Sequence, residues 1–271
     1  MVPNIRLNNG ATIPQIGLGL WQVNNQTLFS RAFDAAVEVG YRHFDTAQAY
    51  GNERMLGDAW TGSGLSRDKF YITTKISVTR FGASLTHASF KQSLDKLQTD
   101  YIDLLLLHFP VTILRKKAWL ALEKILTEGG ARSIGVSNYT VRHLEEMQVY
   151  AKIVPAVNQV ELHVFLQQPE LIHYCREHGI AVEAYSPLAH AQIMDNPILI
   201  AIAQKHKKSY AQIMLRWLIE KQLVVIPKSI TPERIKENFS VFDFALDRED
   251  MEQIETLDQE LRTCWSPVHV P

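Results

Sequence analysis

Tyr101-Ile102-Asp103-Leu104-Leu105-Leu106-Leu107-His108 decides the architecture. Four consecutive leucines in so short a run read as a strand buried on both faces, the kind found in parallel sheets covered by helices. Leu104 to Leu107 is far below the roughly 20 apolar residues of a membrane span. Similar short strand candidates flank it: Ile16–Leu20, Arg42–Phe44 and Phe70–Thr74 upstream, Ser133–Val136, Ala156–Val160, Ile180–Tyr185 and Leu223–Ile226 downstream. Helical spacing separates most of them, over Thr27–Val39, Ser84–Leu97, Arg115–Leu126, Pro169–His178, Tyr210–Ile219 and Arg248–Leu257. Gly40 and Gly179 stand as stop signals, and Pro169 occupies a helical first turn. With the run at Tyr101, eight strand candidates share 271 residues, about 34 each, the size of a βα repeat. That count fits a closed (β/α)8 barrel as one domain over residues 1–271. Alternation alone also satisfies a doubly wound open sheet. Ahead of the first unit, Ile5-Arg6-Leu7, Asn8-Asn9-Gly10 and Ile13 to Ile16 predict a β-hairpin capping the barrel bottom.

Composition narrows the function. An apolar fraction of 46% excludes wholesale disorder, and 28 Lys+Arg against 29 Asp+Glu leaves a net charge of −1, with no basic surplus for nucleic acid. Cys175 and Cys264 cannot make a disulfide framework and suit a reducing compartment. The polar stretch Met1–Gly10 does not read as a signal peptide, so a cytoplasmic location is expected. No heptad run is present, so a monomer is the default expectation. Neither a G-x-G-x-x-G, where Gln22 takes the third position, nor a Walker G-x-x-x-x-G-K occurs. H-E-x-x-H and G-x-S-x-G are also missing, so no metal is expected, and His163, His173 and His178 read as ordinary strand-end and helix-face residues.

Barrel chemistry sits at the C-terminal ends of strands. There Asp45 follows Arg42-His43-Phe44, Lys75 follows Tyr71–Thr74, and His108 follows Leu107, with Tyr50 in the loop after Asp45. A lone Asp in such a place is most often a cap or turn former, and a lone Lys a solvated charge. Three at one rim, with a phenol beside them, are hard to read that way. Lys75 should depress the Tyr50 pKa, Asp45 should keep Lys75 charged, and His108 should orient a substrate oxygen. The set is a proton donor suited to a carbonyl oxygen receiving a hydride on its carbon.

These residues resemble the aldo-keto reductase family. Gly40-Tyr41-Arg42-His43-Phe44-Asp45-Thr46-Ala47, then Tyr50-Gly51-Asn52-Glu53 and Leu56-Gly57, is similar to its first signature. Arg132–Tyr139 is similar to the second, and Ile226-Pro227-Lys228-Ser229 with Arg234 and Glu237-Asn238 to the third. Pro155–His163 and Ala184-Tyr185-Ser186-Pro187-Leu188 add to the match. The resemblance implies a (β/α)8 barrel that reduces small-molecule aldehydes and ketones with NADPH, similar to the short-loop diketo-gluconate and methylglyoxal reductases. It implies Tyr50 as general acid, His108 as orienting donor, and Lys75 with Asp45 as the tuning pair. Ser137, Asn138 and Gln159 would hold the nicotinamide carboxamide, with Gly19, Leu20, Trp21 and Asp45 also at the cofactor. Tyr185 would stack on the ring, and Ser186, Pro187 and Leu188 would follow the pyrophosphate. Lys228, Ser229 and Arg234 would grip the 2′-phosphate, with Glu237 and Asn238 near the adenine.

Substrate-facing positions depart from the family. Ser77 and Phe109 stand where Trp is common, while Trp21, with Tyr50 and His108, remains a pocket wall. The segment after Pro110 and the tail from Glu260 are short, which predicts a wide, open pocket. A second class stays in view: an NADP(H)-binding sensor subunit with little turnover. The intact Asp45, Tyr50, Lys75 and His108 favour the enzyme.

Overall fold

The computed structural model describes residues 2–189 and 195–271. Its first strands, β1 (Asn4–Arg6) and β2 (Thr12–Pro14), pair antiparallel as the expected hairpin. Eight parallel strands follow: β3 (Gly17–Gly19), β4 (His43–Asp45), β5 (Tyr71–Ile76), β6 (Ile102–Leu107), β7 (Ala131–Ser137), β8 (Val157–Glu161), β9 (Ala181–Tyr185) and β10 (Val224–Val225). They hydrogen-bond in sequence order from β3 to β10. The two ends meet: Ile16 bridges Val225 in parallel, and the Gly19 N–H reaches the Pro227 carbonyl at 3.1 Å. This is the closed barrel, and the open-sheet alternative falls.

Leu104 and Leu106 pack inside with Leu7 and Ile13 of the hairpin, whereas Leu105 and Leu107 join the outer core under the helices. Both faces of β6 are therefore covered, as four leucines in a row require. The hairpin closes the N-terminal end of the barrel, where Asn8 Nδ2 donates to the Pro155 carbonyl and Asn9 Nδ2 to the Arg132 carbonyl, each at 3.0 Å.

Six expected helices form: α1 (Gln26–Val39), α3 (Ala83–Leu97), α4 (Arg115–Thr127), α6 (Pro169–Glu177), α8 (Tyr210–Glu220) and α10 (Arg248–Glu255). Gly40 stops α1 at φ 112°, with its N–H on the Ala36 and Val37 carbonyls. Four more were not expected: α2 (Glu53–Gly62), α5 (Val141–Gln148), α7 (Pro197–His206) and α9 (Pro232–Phe239). The eight-residue α9 buries only Ile235 and Asn238, too little to leave an apolar stripe in the sequence. Tertiary packing makes these short helices.

Candidate active site

Strand register places the chemistry. Asp45 ends β4 level with Gly19 of β3 and Thr73 of β5, while Ser137, Gln159 and Glu183 form a matching row across β7, β8 and β9. Lys75, one residue from the end of β5, is wholly buried. Its Nζ donates to Asp45 Oδ1 at 2.6 Å, to the Thr46 carbonyl at 3.0 Å and to the Tyr50 hydroxyl at 3.3 Å. An ammonium has three protons, and here all three are assigned. The Tyr50 oxygen is thus an acceptor toward Lys75, and its own proton is left for the rim. The His108 ring stands edge-on to the Tyr50 ring at 5.5 Å between centroids. Asp45, Tyr50, Lys75 and His108 are brought together as the sequence predicts.

The turn carrying Tyr50 is pinned by a residue that sequence reasoning passed over. Gln48 Oε1 accepts the Ser77 N–H at 2.9 Å, and its Nε2 donates to the Ser89 carbonyl at 3.1 Å and Ser93 Oγ at 3.0 Å. The turn is thereby tied to both β5 and α3.

Electrostatics correct one expectation. Burial pushes the Tyr50 phenol up rather than down, outweighing Lys75, whose pull is itself opposed by Asp45. Burial also works against the Lys75 charge, yet Asp45 and Tyr50 more than restore it and the ammonium is held above its ordinary range. Asp45 does keep Lys75 charged. His108 is pushed down to about 3, by burial first and Lys75 second, so its imidazole is neutral and offers one N–H.

The remaining positions line the same mouth. Asn138, at φ 66°, donates from Nδ2 to the His108 carbonyl at 3.1 Å and Ser137 Oγ at 3.0 Å, and its Oδ1 accepts the Tyr185 hydroxyl at 2.7 Å. Gln159 Nε2 donates to Asp45 Oδ2 at 2.8 Å and Glu183 Oε2 at 2.7 Å. Leu20 hangs on the Asp45 carbonyl through its N–H at 3.0 Å, while Trp21 is 42% exposed and so available as a wall. Ser77 and Phe109 are half-buried after β5 and β6, and Ser186, Pro187 and Leu188 follow β9.

After β10 the chain turns past Gly19, where an added Cβ would meet the Ile226 carbonyl at 2.9 Å and Lys228 Cβ at 3.7 Å. Only glycine lets these backbones come so close. Lys228 and Arg234 are exposed and, among the described residues, in no ion pair. Ser229 is buried at the start of the same turn, its Oγ accepting the Thr231 N–H at 3.1 Å. Glu237 and Asn238 lie on α9, with Asn238 buried. Two exposed cations that make no ion pair among the described residues, with the Ser229 hydroxyl next to Lys228 in the chain, fit a doubly anionic group.

The short tail reaches the site. Thr263 donates to Glu161 Oε1 from both N–H and Oγ1 at 2.6 Å, and the Cys264 N–H reaches Glu161 Oε2 at 3.3 Å. Cys264 Sγ stands 3.6 Å from Ser186 Oγ, and farther on the Val270 carbonyl accepts from His143 Nε2 at 2.9 Å. Glu161, Glu183 and Cys264 were not among the residues the sequence assigned to the site. The two acids had a signal: Glu161 shares a strand face with Gln159, and Glu183 with Tyr185, by the two-residue period.

A closed barrel with a buried ammonium beside a phenol at its C-terminal rim defines the class by fold, a (β/α)8 barrel with a candidate site at the strand ends. The chain belongs to the Aldo/keto reductase family, whose model matches residues 15–259. It is 45% identical to a glyoxal reductase of Bacillus subtilis over 97% of this chain and 95% of that protein. A solved aldo-keto reductase from a Medee basin deep-sea metagenome library superposes with a TM-score of 0.95 at 43% identity, over 99% of this chain and 100% of the other. A Bombyx mori aldo-keto reductase solved in complex with NADP gives 0.92 at 33% identity, over 97% and 94%. Among the described residues, no helix is long and apolar enough to cross a membrane.

Proposed function

We propose that this protein reduces aldehydes and ketones to alcohols with NADPH, Tyr50 serving as the general acid. The observation that carries the reading is the Lys75 ammonium at 3.3 Å from the Tyr50 oxygen with its other protons spent on Asp45 and Thr46. That arrangement supports a phenol whose O–H faces the mouth and whose developing phenolate is met by an adjacent cation. NADPH, when bound, supplies the hydride.

The chain's own residues do the rest. Neutral His108 donates a hydrogen bond to the carbonyl oxygen and holds it near Tyr50 Oη. Tyr50 gives its proton to that oxygen as the alcohol forms, and Lys75 stabilises what is left. Ser137, Asn138 and Gln159 receive the carboxamide end of the cofactor, and Tyr185 lies against the nicotinamide. Ser186, Pro187 and Leu188 run beside the pyrophosphate. Lys228, Ser229 and Arg234 take the 2′-phosphate, which selects NADPH over NADH, with Glu237 and Asn238 beside the adenine. The fit rests on those two cations, exposed and in no ion pair among the described residues.

For the substrate, half-exposed Trp21 with Ser77 and Phe109 supports small or polar carbonyls, a class that includes the substrate named for the glyoxal reductase relative. Following NADPH absorbance with methylglyoxal, glyoxal and a nitrobenzaldehyde tests the reading. Turnover of at least one is expected. Tight NADPH binding with no turnover across the panel would overturn the reading.

A further inference from the structure

Beneath the Lys75–Asp45 pair lies an acid the mechanism above does not use. Glu183 sits in the middle of β9 and is wholly buried. Its Oε2 accepts from Gln159 Nε2 at 2.7 Å, and its Oε1 is 3.5 Å from Nε2 of the equally buried His43. His43 in turn is 3.0 Å from Thr73 Oγ1. The Gln159 amide group has two protons, and the second goes to Asp45 Oδ2 at 2.8 Å. Two acids from strands that are not adjacent, β4 and β9, thus hold one NH2 group between them.

An amide is nearly symmetric in shape, so only its hydrogen-bond partners decide which end points where. With both N–H bonds directed to carboxyl oxygens, the Gln159 carbonyl oxygen is the end left for the mouth. Swapping the ends would set that oxygen against Asp45 and leave the NH2 facing outward. A carbonyl at the mouth accepts from an N–H donor and gives nothing to an acceptor.

We propose that Glu183 is a positioning residue: with Asp45 it fixes the Gln159 amide so that its carbonyl, and not its NH2, meets the cofactor, selecting a carboxamide N–H. This rests on the reading that Gln159 receives the nicotinamide carboxamide. Burial raises the Glu183 carboxyl to about 8, with Asp45 adding to the effect. The role asks Glu183 only for an acceptor oxygen, and a neutral amide of the same length can supply it.

The test compares binding of NADP+ with binding of its 3-acetylpyridine analogue, in which a methyl group replaces the amide NH2, by titration calorimetry. One neutral hydrogen bond corresponds to a preference of about threefold to tenfold for the carboxamide in the wild type. Glu183→Leu is expected to bring that preference to within about twofold of unity, and Glu183→Gln to retain it. Glu183→Ala reads the same ratio if the leucine variant does not fold. Gln159→Leu, which removes the acceptor itself, separates the two claims. If Gln159→Leu collapses the ratio while the Glu183 apolar variants keep it, the assignment of Glu183 is overturned and that of Gln159 stands. If Glu183→Gln collapses it as fully as Glu183→Leu, an acceptor is not what position 183 supplies, and the proposal is overturned. A wild-type ratio of one, or a Gln159→Leu variant that keeps the preference, overturns the carboxamide reading and Glu183 with it.

Discussion

The Lys75 ammonium nitrogen lies 3.3 Å from the Tyr50 hydroxyl oxygen, and this is the longest of its three hydrogen bonds. Burial keeps the Tyr50 phenol protonated in spite of the neighbouring cation, whose pull Asp45 partly offsets. A general acid must hold its proton until the oxygen it serves becomes basic. Lys75 then acts mainly on the phenolate, the state in which its charge is needed.

Replacing Tyr50 by Phe deletes the proton donor and leaves Lys75 with Asp45 and the Thr46 carbonyl. General acid–base catalysis contributes about 10²–10⁴-fold, so kcat should fall by that order in the NADPH-coupled assay. NADPH binding, read by calorimetry, should change by less than about threefold, because the phenol adds little to the cofactor cleft. Retention of wild-type turnover would remove Tyr50 from the role.

Lys228 and Arg234 are exposed cations with no acid partner among the described residues, so their removal disturbs nothing else in the fold. Lys228→Ala and Arg234→Ala should each lower the preference for NADPH over NADH by at least about tenfold, the weight of a charged hydrogen bond to phosphate. The loss should fall on the KM for NADPH, with the KM for NADH nearly constant. An unchanged ratio of kcat/KM values would show that the 2′-phosphate binds elsewhere.

Glu183 also predicts a pH dependence of stability. Its ordinary value is 4.5 and its folded value about 8, so between those limits the native state keeps a proton that the unfolded chain releases. Stability therefore falls as pH rises through this window and levels off above it, at up to about 1.4 kcal/mol for each pH unit. The groups facing it are Asp45 and His43 of β4, Lys75 and Tyr71 of β5, and Gln159 of β8. His43 is buried neutral at about 3 and acts the opposite way, below its ordinary value of 6.5. Glu183→Gln does not titrate. Its Tm relative to wild type should rise steadily from pH 5 to pH 8, by about 2–4 °C for each kcal/mol. A constant difference across that range would mean that Glu183 is ionised in the folded protein.

Much of this site was legible because a barrel converts order along the chain into position at a rim. Asp45, Lys75 and His108 each follow an apolar run, and closing the sheet places them together without further information. The sign of the Tyr50 shift was not legible, since it depends on burial depth and on the 2.6 Å Asp45–Lys75 distance, neither of which spacing encodes. Gln48 looked like any polar loop residue, and its three bonds reach partners on two other elements. Glu183 stood as an acid inside an apolar strand, a pattern that ordinarily marks a solvent-facing position. The tail read only as short, and its hold on the site was not legible, because its anchor, Glu161, is supplied by a strand about a hundred residues earlier.

Two glycines of α2 predict opposite outcomes from the same substitution. Gly57 packs against the end of α3, where an added Cβ would collide with the Lys96 carbonyl and come within 3.0 Å of the Leu97 carbonyl carbon. Those are backbone atoms, so the helices must separate, and the Trp60 Nε1 bond to the Leu97 carbonyl at 2.7 Å is strained with them. Gly57→Ala should cost about 1–3 kcal/mol, the range for overpacking a tight contact. Gly62 has nothing within 4 Å of the same built atom and no left-handed backbone to oppose a side chain. Gly62→Ala should therefore stabilise by about 0.4–1 kcal/mol through the unfolded state. Urea denaturation of the two variants reads both signs in one experiment. Equal effects would mean that α2 and α3 do not meet at Gly57, and the Tyr50 turn, which shares α3 as its support through Gln48, would then lack its backing.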